Sequence, residues 1–376
     1  MAEAEAPADA AAAIAEPFVL PPYQETFIAQ YSRNFKLGVV TFALALMVLP
    51  WALGRLIPPS VEAPKKIAEI HKTHVDGADT EAADTTTKPL HDRTSVSTSA
   101  NAAVLNDQDD KNIKLTPAPD PSVTEDTPQG TLPRIAEDGR MPWQVYARPY
   151  NMADQRPRLA ILVADLGLSR ATSDAAINRL PTNVTLAFDV QSPVAAAWSS
   201  RARQDGHEVF ISIPMEPFDY PRSDPGPNTL LTSLPSSDII QRTIWALRQS
   251  VGYVGITTFS GSRLTTDPEK MSVVFDVLKQ RGLMIFVARS APHSVVYAMA
   301  RDGIIPVATH NVPIDETMTP DAIDKALDRL EKEAQRHGRA VGVVSSTPLT
   351  LDHLERWLKD LPGRGVSLAP LSAMVE

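Results

Sequence analysis

From residue 158 onward the sequence predicts an α/β domain built on a largely parallel sheet. Short apolar runs rich in β-branched residues recur to the end of the chain, and segments with helical spacing of apolar residues separate them. Such alternation makes successive strands parallel, because a crossover helix returns the chain to the same end of the sheet. A doubly wound open sheet and a barrel both satisfy it; eight strands with continuous apolar runs in this length favour the barrel.

The chain reads in order as follows. Residues 1–36 begin with an Ala-, Glu- and Pro-rich stretch without sustained periodicity, which buries little apolar surface and predicts a disordered tail. Residues 37–54, LGVVTFALALMVLPWALG, carry no charge and as a helix would reach about 27 Å, close to the ~30 Å hydrocarbon core. A transmembrane anchor is therefore expected over 37–56, with Trp51 suited to the interface. A cleaved secretory signal is the rival reading, but its basic region belongs near the N-terminus, and here an acidic tail precedes Arg33 and Lys36. Residues 57–140 mix Thr, Ser, Asp, Pro and Lys with no apolar period, which predicts a disordered tether; His71, His74 and His91 within it have no compact metal-site spacing.

The folded domain is expected over 141–376. Its candidate strands are LAILVAD (159–165), VTLAF (184–188), VFISI (209–213), VGITT (254–258), MIFVA (284–288), IIPVA (304–308), AVGVV (340–344) and VSLAP (366–370). Candidate helices include 169–179, 193–204, 236–249, 268–281 and 320–336. No Gly-rich dinucleotide fingerprint or phosphate loop follows the first strand.

Composition removes several functions. A net charge of -9, with no run of Lys or Arg longer than a pair, argues against a nucleic-acid binder, since phosphate neutralisation needs a basic stripe. The absence of cysteine excludes disulfides, thiolate metal sites and Cys nucleophiles.

Three segments carry more specific information: ILVADLG (161–167), GHEVFISIPMEPFDYPRSDPGPNTLL (206–231) and VGITTFSGSRLTTDPEKM (254–271). Together they resemble the divergent polysaccharide deacetylase family, a remote branch of the metal-dependent carbohydrate esterases, over residues 141–376. The resemblance implies a deformed (β/α) barrel, in which working groups sit at the C-terminal ends of strands. It also implies a metal-dependent deacetylase centre, and here this sequence departs from the pattern.

The family shows two adjacent aspartates after the first strand, one to activate water and one to help hold the cation; only Asp165 remains, following Ala164. Asp165 is the candidate catalytic residue, its bland alternative being a cap on the helix near Ser169. Glu216 keeps the family's carboxylate in PMEP, but Ser212 stands where a histidine is usual. Thr257, Thr258, Phe259 and Ser260 replace an Asn-Asn-His-Met run. Val287 and Ala288 replace an Asp-Ser pair, with Arg289 kept; His310 occupies a position usually basic, Asp315 keeps an acid, and Ser345 replaces a histidine. His207, in GHEV, falls at the barrel's stability end and reads as a core histidine.

Glu216, Arg289, His310 and Asp315 are thus candidate ligand-binding residues, with no metal site assigned and no cofactor expected. A site rebuilt from Asp165, His310, Asp315 and Glu216 around zinc or another divalent metal is the alternative. A serine hydrolase using Ser345 or Ser346 with His310 lacks any nucleophile-elbow pattern. The expected function is a membrane-anchored, extracytoplasmic deacetylase-like domain, catalytically degraded, binding a glycan or cell-envelope protein. An active esterase and a structural interaction module with a filled cleft are the competing readings.

Overall fold

The computed structural model describes residues 113–375, apart from 289–291, 303–304 and 309–310. The expected tail, the expected span over 37–56 and most of the expected tether lie outside the described residues. Among the described residues no helix is long and apolar enough to cross a membrane.

The folded part begins ahead of residue 141, in the stretch assigned to the tether. Thr124–Thr127 (β1) and Gly130–Pro133 (β2) pair as an antiparallel hairpin. The segment is fastened to the barrel by side chains from later in the chain. Arg203 donates to the Thr116 carbonyl at 2.7 Å, Arg281 donates to the Pro133 carbonyl at 3.1 Å and pairs with Glu125, and Tyr146 Oη accepts from the Asp120 amide at 2.9 Å. Val123 is fully buried, and Ala118 packs so closely on Gly252 that a Cβ there would meet it at 2.4 Å. Isolated apolar residues held by backbone hydrogen bonds leave no periodic signal, which is why the sequence reads as linker.

After a short helix Pro142–Val145 (α1), the chain enters the parallel sheet. Its strands are Arg158–Leu166 (β3), Thr185–Asp189 (β4), Val209–Met215 (β5), Gly255–Ser260 (β6), Met284–Phe286 (β7), Asn311–Pro313 (β8) and Arg339–Ser345 (β9), in the order β7-β6-β5-β4-β3-β9-β8. A short strand, Ser367–Leu368 (β10), pairs with the start of β3 below β4. The sheet curls until a single parallel bridge, Ile285 with Val307, joins β7 to the chain leading into β8, with Ile285 N donating to the Pro306 carbonyl at 3.1 Å. The expected strand at 304–308 supplies bridges only, and the regular pairing moves on to β8. Pro306 has no N–H to give a ladder.

The helices follow the expected crossovers: Arg170–Arg179 (α2), Ala195–Gln204 (α3), Ser236–Leu247 (α4), Pro268–Gln280 (α5) and Pro320–His337 (α7), with Val296–Arg301 (α6) and Pro348–Lys359 (α8) in addition. In α7 the buried residues Ile323, Ala326, Leu327, Leu330 and Ala334 form one stripe at helical spacing, which fixes its packing face. Ser169, Asp267 and Thr347 cap α2, α5 and α8 by accepting amide hydrogen bonds.

The N-terminal end of the barrel is sealed by polar contacts. Glu208 is fully buried and accepts from Arg148 N at 3.2 Å, Thr185 Oγ1 at 3.1 Å, Ser372 N at 3.0 Å and the Ser372 hydroxyl, fixing the C-terminal turn of residues 371–374. Burial raises its pKa, and those hydrogen bonds oppose the rise. His207 is buried between the Val184 carbonyl at 2.9 Å and the Ile177 carbonyl at 3.1 Å. Both residues serve the floor, away from the strand ends where chemistry is sought.

Candidate functional site at the barrel mouth

Asp165 lies near the end of β3, where the ladder to β4 shifts between Val163 and Leu166. Its φ of 62° puts it in the left-handed region, which aspartate tolerates better than most side chains but still at a cost. The turn is held on both sides: Ser346 Oγ donates to the Asp165 carbonyl at 2.9 Å, Gly167 N donates to Ser173 Oγ at 2.9 Å, and Ser192 Oγ donates to the Gly167 carbonyl at 2.7 Å. Asp165 does not cap α2, because Ser169 does. Its side chain is half-buried at the mouth.

Glu216 follows β5 and is 5% exposed. Its Oε2 accepts from Thr232 N at 2.5 Å and Thr232 Oγ1 at 2.7 Å, its Oε1 lies 3.5 Å from Arg263 Nε, and its carbonyl accepts from Arg263 N and Leu264 N. It anchors the long loop after β5 to the turn after β6. Asp315 is 6% exposed; its Oδ2 accepts from Ser345 N at 2.7 Å and Thr350 Oγ1 at 3.2 Å, joining the ends of β8 and β9 to the first turn of α8. Arg289 and His310 lie outside the described residues.

One acid was passed over in the sequence. Asp189, the last residue of β4, is 2% exposed, and its Oδ1 accepts from Gln191 N at 2.8 Å. Burial pushes its pKa up to about 6; the charge of Asp165 adds to the rise and the Gln191 amide opposes it. Asp189 directly follows the run VTLAF, a position at which barrel chemistry is sought, so the signal was present. It stands in register with Ser212 on β5, and Ser212 with Thr257 on β6. Both hydroxyls are fully buried, and neither has a hydrogen-bond partner among the described residues.

Phe259, two residues beyond Thr257 and hence on the same face of β6, is half-buried at the mouth. Leu168, Phe218 and Met318, on the loops after β3, β5 and β8, are 45%, 58% and 46% exposed. The mouth therefore combines buried acids and hydroxyls with an apolar rim.

Zinc does not fit the described residues. No group of three His, Cys, Asp or Glu among them could hold a metal ion, and the carboxylates of Glu216 and Asp315 are already taken by protein donors. Val287 and Ala288 are buried apolar residues.

The sequence pattern of the divergent polysaccharide deacetylases matches residues 161–375, which spans the barrel from β3 to the last turn. The chain belongs to the divergent polysaccharide deacetylase family. Within reach of it are relatives without an assigned activity. An uncharacterized protein of Haemophilus influenzae is 23% identical over 205 residues, covering 54% of this chain and 72% of its own length. The uncharacterized protein YibQ of Escherichia coli is 27% identical over 206 residues, covering 54% of this chain and 63% of its own length. The crystal structure of an uncharacterized protein from Agrobacterium tumefaciens superposes with a TM-score of 0.63 at 34% identity, covering 65% of this chain and all of that one. Family membership agrees with the curled parallel sheet, and it leaves activity to the site itself.

Proposed function

We propose that this protein is a membrane-tethered, extracytoplasmic deacetylase-like domain that has lost metal-dependent hydrolysis and binds a glycan through the barrel mouth. The carrying observation is Phe259. An aromatic side chain that cannot ligate a metal stands where the family pattern has a histidine, and it remains half-buried rather than packed away. Exposed Phe218, whose amide donates to Ser262 Oγ three residues beyond Phe259, adds a second ring on which a sugar face can stack. A half-buried Phe259 weighs against a cleft that is simply filled, the basis of the interaction-module reading. The apolar rim of Leu168, Phe218 and Met318 supports one further occupant, an envelope protein docking on the same face.

The test is direct. Titration of the protein with acetylated oligosaccharides by calorimetry, alongside release of acetate and metal content after dialysis, should show saturable binding, no turnover and no stoichiometric zinc. About one zinc per chain together with acetate release that Asp165→Ala abolishes would establish an active esterase instead.

A further inference from the structure

The chain leaves the sheet at Glu216 and returns beside the strand it left. Leu230 bridges Met215, Leu230 N donates to the Pro214 carbonyl, and Glu216 N donates to the Leu230 carbonyl, both at 2.9 Å. Residues 217–229 between these points form a closed Ω-loop, a form that frequently carries function. The loop is shaped from within: Arg222 N donates to the Asp219 carbonyl at 2.8 Å, and Gly226 N to Asp224 Oδ1 at 2.9 Å. Phe218, Asp219, Arg222 and Asp224 nevertheless stay exposed on it.

Contacts with neighbouring elements fix where the loop lies. At one end Phe218 N donates to Ser262 Oγ at 3.0 Å, in the turn after β6. Near its return Arg242 of α4 donates to the Thr229 carbonyl at 2.6 Å. Between them Gln191, two residues past β4, donates from its side-chain amide to the Pro225 carbonyl, while its backbone N donates to Asp189 Oδ1 at 2.8 Å. Gly226 makes room for that contact. A Cβ on it would run into the Gln191 side-chain amide, and its φ of 124° is one that side chains rarely adopt. The loop thus spans the ends of β4, β5 and β6, tied to the β4 side by Gln191 and to the β6 side by Ser262.

We infer that residues 217–229 are a preset wall of the glycan site and that Gln191 is its positioning residue, latching the loop so that Phe218 is held ready to stack on a sugar ring. The inference rests on the glycan-binding reading and adds what sets the affinity of that site. A loop fixed before the ligand arrives need not be ordered on binding, so the latch tightens the complex without touching the sugar.

The experiment uses the full-length chain, with hydrogen exchange and calorimetric titration of an N-acetylglucosamine pentamer as readouts. Gln191→Ala should speed exchange in residues 217–229 at least tenfold, leave β3 and β9 unchanged and weaken pentamer binding about tenfold. Gly226→Ala, which keeps Gln191 but displaces its side chain, should do the same. Phe218→Ala should weaken binding with little change in loop exchange. Adding Gln191→Ala to it should cause no further loss, because the latch acts through that ring. Unaltered loop exchange in Gln191→Ala overturns the latch. Faster exchange with full affinity, or additive losses in the double variant, overturns the positioning role. If wild type ignores the pentamer, the glycan reading falls, while exchange still decides the latch.

Discussion

Asp165, next to last in β3, and Asp189, the last residue of the neighbouring β4, lie together at the barrel mouth, and the charge of the first adds to the burial that raises the proton affinity of the second. A buried acid held in this way destabilises the fold whenever it is ionised. Its folded pKa of about 6 lies above the ordinary aspartate range, so the native state holds the proton more tightly than the unfolded chain does. Stability is gained as pH falls through about 6, and the penalty is full above that value. At pH 7.5, Asp189→Asn should therefore be more stable than wild type, by at most about 3 kcal/mol. The advantage should shrink towards pH 4; urea denaturation at both pH values checks it, and a pH-independent difference would remove ionisation as the cause.

The segment ahead of residue 141 should matter to folding. A chain starting at residue 113 keeps Val123, the Glu125–Arg281 pair and the Thr116 carbonyl that accepts from Arg203, whereas one starting at 141 exposes the surfaces they cover. Burial of one such aliphatic side chain contributes about 1.5–3 kcal/mol. The shorter chain should be less stable by several kcal/mol or should aggregate, as measured by chemical denaturation. Equal stability of the two would show the segment to be dispensable.

Glu216 is expected to act through loop order. Glu216→Ala removes the acceptor for two Thr232 donors and the ion pair with Arg263, leaving the Thr232 amide to find water. Hydrogen exchange in residues 217–232 should accelerate at least tenfold, with exchange in β3 and β9 little changed. Unaltered exchange in the loop would refute the anchoring role.

Backbone strain at Asp165 makes a separate prediction. At φ 62°, Asp165→Ala should cost about 1 kcal/mol, because alanine is disfavoured in the left-handed region and lacks the local bonding that helps aspartate there. Asp165→Gly should cost less, since glycine adopts this region freely. Thermal melts of both variants decide it; an alanine variant as stable as the glycine variant would mean the turn relaxes.

His207 gives a pH signature of opposite sign. Burial lowers its pKa, so the native state favours the neutral ring while the unfolded chain takes up a proton near the ordinary value. Its contribution is present above about pH 6.5 and is lost as pH falls below it. Against wild type, His207→Gln should show a stability difference that narrows between pH 7.5 and pH 5; a constant difference would contradict the assignment.

The sequence by itself determined the α/β alternation, most strand positions and the helix starts. These depend on local periodicity and on caps within a few residues, such as Asp267 before Pro268 in α5. It also located Asp165, Glu216 and Asp315 after apolar runs. Only the tertiary structure decided what those acids do. Glu216 is committed by Thr232 and Asp315 by Ser345 and Thr350, partners brought close by loop folding and sheet order and invisible to spacing along the chain. Asp189 became a site residue through strand register, which sets its carboxyl beside Ser212 and removes it from water. The hairpin β1–β2 joined the domain for the same reason: Arg203 and Arg281 bond its backbone carbonyls, and a carbonyl acceptor leaves no mark in the identity of its residue.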